Sequence, residues 1–451
     1  MHTKNKNMPL IALCLGFFMV VIDLTIVNVA LPNMAKNLSG SVSWLQWVVD
    51  GYTLTFACLL LSVGHFSDRF GAKIAFQCGL ILFVLTSIAC GFSSSFLMLT
   101  IFRLFQGVAA ALLVPTSLTL INASYETNEE RAKAIGIWAS IGGIAAAAGP
   151  LLGGILTSWF GWRAVFFVNV PFGLIGAILT AKYVLNPMTE HKDSHFDLVG
   201  QLLGIFSIAS LAFGLIEAGR AGWLSEIVLC ALGFFLITFI LFLVVEHRTR
   251  APMFPLNLFH SKTFSVAIMV GMLMTLSCYG EQFVLTLYFQ KIRDYSPMMT
   301  GFAFMPYVGV IAVSSYYGGK VTSISGPRWP MVIGLGVGTL GFLSLLIANQ
   351  VTPYWMLILP LAAMGFGISF TQPAVTTAAI HSAPKNKTGI ASGTFNASRQ
   401  VGALLGIAIF GTMVANIGNF VHNMQNTLIL GGLLFFISCV MAFAYIKKRN
   451  L

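Results

Sequence analysis

Four ionisable residues interrupt long apolar stretches of the sequence, where they could bind protons or charged molecules. Asp23 lies within MVVIDLTIVNVALP at 19–32, Asp50 within WVVDGY, Arg103 within RLFQG, and Glu281 within a later apolar segment. A charged side chain at the centre of a lipid-facing helix costs about 2.5–3.5 kcal/mol on insertion scales. We therefore expect these residues to face a polar cavity or one another, which is the chemistry of a proton or cation pathway.

The composition places such a cavity within a membrane. Hydrophobic residues make up 57% of the 451 residues, charged residues make up 9%, and the mean hydropathy is +0.86. These values predict an all-α polytopic membrane protein. A hydrocarbon core takes about 20 helical residues to cross, and fourteen windows are long and apolar enough. They lie near 9–31, 45–64, 74–92, 97–119, 133–157, 162–184, 197–217, 223–245, 263–290, 299–319, 329–348, 354–378, 389–413 and 427–446.

The sequence has no pattern typical of a metal site, a disulfide framework or a familiar enzyme. All seven cysteines fall within predicted spans and form no CxxC pair, which indicates apolar packing. The chain contains no GxxxxGK[ST] phosphate loop, no HExxH and no GxSxG. We therefore predict no catalytic residue, no metal and no cofactor, with a membrane enzyme or a receptor as the remote alternative.

Positive charge is distributed unevenly between the predicted loops. If the N-terminus is cytoplasmic, the cytoplasmic segments carry 18 Lys and Arg residues and the opposite side carries five. This asymmetry places both termini in the cytoplasm and agrees with an even number of spans. It also accounts for the net charge of +11 without a nucleic-acid partner.

A weak internal repeat divides the chain into two halves. Gly64 and Gly71 flank the loop between spans two and three, and Gly319 and Gly326 flank a second loop 255 residues later. Glycine also precedes proline by eight residues in the fourth and twelfth spans. We predict an N-terminal six-helix half at 1–184, a linker with two extra transmembrane helices at 185–262, and a C-terminal six-helix half at 263–451.

Several motifs resemble those of the major facilitator superfamily, and in combination those of its fourteen-span drug:proton antiporter subfamily. GHFSDRFGAK at 64–73 is similar to the loop signature, RLFQG to the fourth-span motif, and GPLLGG at 149–154 to the antiporter motif, although Ala145 stands where many members have glycine. WVVDGY, WRAVFFVNVP at 162–171 and SRQVGALLG at 398–406 resemble the subfamily, which includes bacterial multidrug and quaternary-ammonium exporters. The resemblance implies a conformational gate at Gly64, Asp68, Arg69, Gly71 and Lys73, and a tightly packed antiporter helix at Gly149, Pro150, Gly153 and Gly154.

Helical rise places the four ionisable residues at similar depth in the outer half of the membrane. Asp23 lies about 13 Å deep, Asp50 about 9 Å, Glu281 about 15 Å and Arg103 about 9 Å. We expect the three carboxylates to couple protons and substrate, with Arg103 as their charge partner. The alternatives are a local bond from Asp23 to Thr25 or Asn28, an interfacial position for Asp50, and a packing hydrogen bond from Glu281 to Tyr279 or Gln282. Further candidates for a polar or aromatic cavity are Asn28, Gln106, Tyr288, Asn396 and Arg399.

These observations predict a proton-coupled antiporter that exports hydrophobic, cationic drugs or toxic compounds by alternating access. Protons are the expected coupling ion, and the expected partners are small molecules and the lipid bilayer, with a monomer as the functional unit. The resemblance implies a bacterial cell membrane. The alternative function is transport of an endogenous metabolite, a siderophore or a lipid.

Overall fold

The computed structural model describes residues 7–60, 63, 67, 70–125, 127–185, 197–249, 256–384, 388–415 and 419–446. This part of the chain is helical, which confirms the predicted all-α class. We call the helix ends inner and outer according to the predicted orientation. The α-helices are α1 (Asn7–Leu38), α2 (Val42–Leu59), α3 (Ala72–Gly91), α4 (Phe96–Ser124), α5 (Asn128–Phe160), α6 (Ala164–Phe167), α7 (Asn169–Tyr183), α8 (Leu198–Ala221), α9 (Glu226–Arg248), α10 (Lys262–Leu287), α11 (Pro297–Ala303), α12 (Met305–Ser325), α13 (Arg328–Ser344), α14 (Tyr354–His381), α15 (Thr388–Met413) and α16 (Phe420–Tyr445).

By length and apolar composition, ten helices of the described chain could cross a membrane, or twelve if two bent pairs each form one span. The predicted count of fourteen is therefore not confirmed. The two long helices outside this set are α2 and α15, which contain polar and charged residues such as Asp50 and Arg399. These side chains reduce the apolar character of two helices that pack against each other inside the protein.

Proline has different effects in two of the helices. The first predicted window ends at residue 31, but α1 continues through Pro32 to Leu38. In α5 the axis bends by 42° between the segments Lys133–Ala146 and Ala148–Phe160. Pro150 follows this bend, and a proline inside a helix removes one backbone hydrogen bond and crowds the residue four positions earlier. The predicted bend in this span is thus present.

Close helix contacts recur at corresponding places in the two predicted halves. A Cβ atom added to Gly107 of α4 would lie 2.2 Å from the carbonyl oxygen of Tyr52 in α2. The corresponding atom on Gly365 of α14 would lie 2.1 Å from the carbonyl oxygen of Tyr307 in α12. Only glycine permits either approach, so the repeated glycines hold equivalent helix pairs together. The domain boundaries themselves stay a prediction.

The extra helix α8 packs on the α2–α15 pair, and the second extra helix, α9, packs on α8. Gln201 of α8 donates from Nε2 to the carbonyl oxygen of Cys58 in α2 (2.7 Å), and Thr412 of α15 donates to that of Leu215 in α8 (2.7 Å). In α9, Leu236 is 56% exposed, as expected of a surface that faces lipid. The helix α8 therefore contacts both predicted halves at once.

Candidate functional site

Asp23 is fully buried in α1 and lies at the centre of a polar network inside the N-terminal half. Its Oδ2 forms an ion pair with Nη1 of Arg103 from α4. Its Oδ1 accepts hydrogen bonds from Nδ2 of Asn169 in α7 (2.9 Å) and from Nε2 of Gln106 (3.2 Å). Gln106 also donates to Oγ of Ser87 in α3 (2.8 Å). Side chains from α4 and α7 thus bind both oxygens of this carboxylate and balance its charge, and Ser87 of α3 holds one of the donors.

Arg103 is held on several sides as well. It donates from Nη1 to Oε1 of Gln106 (2.9 Å) and from Nε to the carbonyl oxygen of Val48 in α2 (2.9 Å). Its guanidinium carbon lies 4.3 Å from the ring centroid of Tyr52. The ion pair, these hydrogen bonds and the aromatic ring hold the guanidinium in place, with its Nε and Nη1 donors directed at protein groups.

The alternative of a local bond from Asp23 to its own helix is wrong. Thr25 donates instead to the carbonyl oxygen of Ile22 (3.1 Å), and Asn28 donates to that of Leu24 (3.4 Å). The structure therefore brings two of the predicted coupling residues, Asp23 and Arg103, together as a pair.

Asp50 is also fully buried, yet neither of its carboxylate oxygens has a hydrogen-bond partner in the part of the chain that the structure describes. Buried polar atoms are almost always hydrogen-bonded, because an unpaired one loses its hydration without compensation. An exception at a carboxylate is a sign that a proton, a water molecule or a ligand completes the site. Full burial is also the opposite of what a carboxylate that extends to water at the interface would show.

Glu281 of α10 is a second buried carboxylate, in the predicted C-terminal half, and the side chain of Thr427 in α16 lies beside it. The residue is fully buried, and neither carboxylate oxygen has a partner among the described residues. The packing bond considered to Tyr279 or Gln282 is therefore not formed. The hydroxyl group of Thr427 in α16 donates to the carbonyl oxygen of Met424 (2.7 Å).

The helices that carry the two unpartnered carboxylates, α2 and α10, both pack against α15. Gln46, one turn before Asp50, donates to two backbone carbonyls of α15. On the other side, a Cβ atom on Gly280, next to Glu281, would lie 2.6 Å from the carbonyl oxygen of Gly406 in α15. The helices that carry the two carboxylates, one from each predicted half, therefore both pack against the same short section of α15.

Arg399 belongs to α15 but lies nearer the inner end than this section. Its Nε atom is buried and has no hydrogen-bond partner within the described residues, and its guanidinium carbon lies 5.8 Å from the ring centroid of Phe395. Between Arg399 and Ile407, which accepts from Gln46, eight residues of helix rise span about 12 Å. Arg399, a candidate for the polar cavity, is therefore separated from the contact between Gln46 and α15.

The remaining cavity candidates do not form one group. The hydroxyl group of Tyr288 donates to the carbonyl oxygen of Asn349 (2.7 Å) near the outer end of the C-terminal half. Asn396 donates to Ser392 of its own helix (3.0 Å), whereas Oδ1 of the buried Asn28 has no partner among the described residues. A site role for these three residues stays a prediction.

The gate motif is only partly within the described chain. Gly64, Asp68 and Arg69 lie outside it, so their predicted roles are not addressed by the structure. Gly71 has φ of 91°, a conformation that favours glycine, and immediately precedes α3. Lys73 donates from Nζ to the carbonyl oxygen of Ala181 in the last turn of α7 (3.1 Å), which links two inner helix ends.

The antiporter motif makes close contacts within and between the halves. Cβ atoms on Gly149 and Gly153 would lie 1.9 Å from Thr25 Oγ1 and 2.6 Å from the carbonyl oxygen of Ile26, both in α1. One on Gly154 would lie 2.5 Å from the carbonyl oxygen of Pro297 in α11, and one on Gly301 of α11 would lie 2.6 Å from that of Pro150. The motif therefore brings α5 against α1 and α11 at backbone contact distance.

Three polar residues of the site were not candidates in the sequence analysis. Ser87 and Asn169 belong to the network around Asp23, and Gln46 forms the contact between α2 and α15. Asn169 stands in the quoted WRAVFFVNVP, and Gln46 lies four residues before Asp50. A polar side chain one helical turn from a buried charge was the available signal for Gln46.

A cavity of 1390 Å³ opens near the inner ends of α10, α12, α14 and α16. Its lining includes Lys262, Thr322 and His381, and none of the predicted coupling residues. We therefore place the candidate site at the buried carboxylates beside α15 and not in this cavity.

Comparisons with known proteins agree with this architecture. The profile of the Major Facilitator Superfamily matches residues 13–407 and 282–450. The chain is 36% identical to the methylenomycin A resistance protein of Bacillus subtilis over 406 residues, which cover 90% of this chain and 87% of that protein. It is 35% identical to the multidrug resistance protein Stp of Mycobacterium tuberculosis over 412 residues, 91% of this chain and 76% of that protein.

A solved structure shares the fold. The crystal structure of a bacterial homologue of the human lysosomal transporter Spinster, inward-facing and unoccupied, superposes with a TM-score of 0.69 at 17% identity, covering 98% of this chain and 97% of that one. From the family match over nearly its whole length, together with the buried carboxylates on packed membrane helices, the chain belongs to the Major Facilitator Superfamily.

Proposed function

We propose that this protein exports hydrophobic, cationic drugs or toxic compounds in exchange for protons, as a monomer in a bacterial cell membrane with both termini in the cytoplasm. Relatives named for methylenomycin A resistance and for multidrug resistance support export of small toxic molecules. The unequal distribution of Lys and Arg between the loops supports the orientation.

One observation carries the proton-coupled part of the proposal: Asp50 and Glu281 are fully buried carboxylates without hydrogen-bond partners among the described residues. An ionised carboxylate in a dry, low-dielectric site needs a counter-charge or a proton. A proton and a substrate cation can each neutralise such a group, but they compete for it. That competition is the chemical basis of exchange.

The other buried pair has a different part in this mechanism. Asp23 already has a cation in Arg103 and two amide donors, so it does not need a proton in this conformation. We assign the pair to holding α1 and α4 together around the site, and assign proton and cation exchange to Asp50 and Glu281.

Alternating access requires contacts between the halves that form and break. At the outer end, Gln290 donates to the carbonyl oxygen of Val29 (2.8 Å), and Oγ of Ser158 accepts from the backbone nitrogen of Met298 (3.0 Å). Gly154 and Pro297 approach each other at the same end. These contacts close the outer side, and proton entry from that side requires them to separate.

The experiment is paired measurement of substrate efflux and proton flux in vesicles that contain purified protein. We expect Asp50→Asn to impair export of cationic compounds more than of neutral ones, and Glu281→Gln to impair proton coupling for both. Glu226→Gln is the matched control, because this carboxylate is exposed at the start of α9. Equal losses for both substrate classes in Asp50→Asn, with intact coupling in Glu281→Gln, would contradict the division of roles.

The same vesicles test the alternative of metabolite, siderophore or lipid transport. Competition among cationic, neutral and anionic compounds defines the substrate class. Proton movement in the same direction as the substrate would replace exchange by symport.

A further inference from the structure

We infer that Gln46 is a positioning residue that couples the proton on Asp50 to closure of the outer contact between α2 and α15. The inference rests on the proposed function, in which Asp50 binds a proton. It concerns a step that the carboxylates alone do not explain, namely how neutralising a buried side chain changes the contact between two halves.

Gln46 forms a direct contact between the halves. Its side chain is fully buried, and its Nε2 donates to the backbone carbonyl oxygens of Ile407 (3.1 Å) and Ala408 (2.9 Å) in α15. A Cβ atom on Gly411 would lie 2.5 Å from Nε2, so the amide occupies the space that this glycine leaves open. Both amide hydrogens are thus directed to the opposite half.

The acceptor side of the same amide lacks a donor. Oε1 of Gln46 is buried without a hydrogen-bond partner in the described chain, and so are both oxygens of Asp50. Residues four apart on a helix lie on one face, with about 5–6 Å between their Cβ atoms. Three buried acceptors therefore share one face of α2, and a proton on Asp50 would supply the missing donor.

Protonated Asp50 and ionised Asp50 form different hydrogen bonds with the side-chain amide of Gln46. The protonated carboxyl group donates to Oε1 of Gln46, which keeps Nε2 directed at α15 and the outer contact closed. The ionised carboxylate only accepts, so it draws the Nε2 hydrogens away from α15. The amide then presents Oε1 to the carbonyl oxygens of Ile407 and Ala408, and three acceptors repel one another. Proton binding thus favours closure at the outer end, and proton loss favours opening there, in the order that exchange requires.

Asp50 is the titratable group that fits this role on the α2 face. The helices packed against α2 are α1, α4, α8 and α15. Asp23 and Arg103 are paired with each other, and Glu217 and Arg220 are paired at the outer end of α8. Arg399 lies about 12 Å along α15 from the contact. The other charged or titratable groups on α2 and on these four helices are Cys14, Asp23, Lys36, Tyr52, Cys58, Arg103, Glu217, Arg220 and Arg399.

The test measures the outer separation of the halves directly. Spin labels on Asn37→Cys and Val351→Cys, both exposed at the outer end, report the distance between the halves at acidic and alkaline pH. We expect the protein with native Gln46 to close at acidic pH and open at alkaline pH. In Gln46→Met, which keeps the volume but removes the amide, we expect the pH-dependent change in the open-to-closed ratio to fall by about fivefold, the effect of one hydrogen bond.

Gln290→Met is the matched control. Gln290 also joins the halves through an amide, but the carboxylate four residues away, Asp294, is exposed. We expect this variant to weaken closure equally at both pH values. Asp50→Asn supplies a permanent donor to Gln46, so this variant should stay closed at both pH values even if Gln46→Met folds poorly.

Proton release on substrate binding, measured on the same purified proteins, distinguishes failure of the Gln46 role from failure of the proposed proton exchange. A full pH-dependent distance change in Gln46→Met, with substrate-induced proton release intact, would overturn the role of Gln46 alone. Two results together would overturn the proposed function on which that role depends. The native protein would release no proton when substrate binds, and Asp50→Asn would show the same pH-dependent distance change as the native protein.

Discussion

Replacing Arg103 by methionine should destabilise the protein by leaving a buried charge without its partner. Asp23 would keep two amide donors, Gln106 at 3.2 Å and Asn169 at 2.9 Å, but would lose the cation and the guanidinium stacked on Tyr52. Breaking one side of a buried ion pair costs about 3–5 kcal/mol. We therefore expect Arg103→Met to lower the free energy of unfolding by about 3–5 kcal/mol. Because a pair of hydrophobic side chains needs no counter-charge, Arg103→Met combined with Asp23→Leu should recover most of this loss and be more stable than either single variant.

Reversible unfolding in mixed micelles measures these free energies for the four members of the double-mutant cycle. Arg220→Met is the control, since Arg220 pairs with Glu217 with 61% of its side chain exposed, and an exposed pair contributes about 0–1 kcal/mol. Strictly additive losses in the cycle would refute the reasoning, because additivity means that the two side chains do not stabilise each other.

Three further results follow from the packing. Gly154→Ala should slow transport and destabilise the outer-closed form by about 1–3 kcal/mol, because the added Cβ would meet the carbonyl oxygen of Pro297. Efflux rates and thermal unfolding measure both effects. The control is Gly143→Ala, where an added Cβ meets nothing within 4 Å. Lys73→Met should lower the free energy of unfolding by about 0.5–1.5 kcal/mol through loss of one hydrogen bond, which the same unfolding assay measures; no change would mean that the bond is not formed in the membrane. A cysteine introduced at Leu236 should react with lipid-soluble thiol reagents without protection by substrate, and protection would place α9 in the transport path.

The sequence was sufficient to identify which charged side chains are unusual, but not to say how they differ. An aspartate inside an apolar stretch is visible in the sequence, so Asp23 and Asp50 were both predicted to be coupling residues. Their environments differ because Asp23 is contacted by Asn169, 146 residues away, whereas Asp50 has no such partner in the described chain. Contacts between distant helices depend on how the bundle packs, which hydrophobic patterns do not specify.

The number of spans shows the same dependence on packing. Predictions from apolar windows are sound for helices that face lipid, such as α9, because lipid selects for apolar side chains. They are weaker for α2 and α15, where neighbouring helices replace lipid and polar residues are tolerated. The repeated close contacts at Gly107 and Gly365, by contrast, follow from backbone crowding and were foreshadowed by the spacing of the residues.

The position of α8 has a consequence for how the two halves can move. It is hydrogen-bonded to α2 through Gln201 and to α15 through Thr412, so it bridges the line along which these two helices meet. Any separation of α2 from α15, including the one proposed at Gln46, must therefore either move α8 together with one of these helices or break the bond from Gln201 or from Thr412. The helix α8 also covers the contact between α2 and α15 on the side where it packs. On that side, a hydrophobic molecule dissolved in the bilayer would meet α8 before it reached either helix.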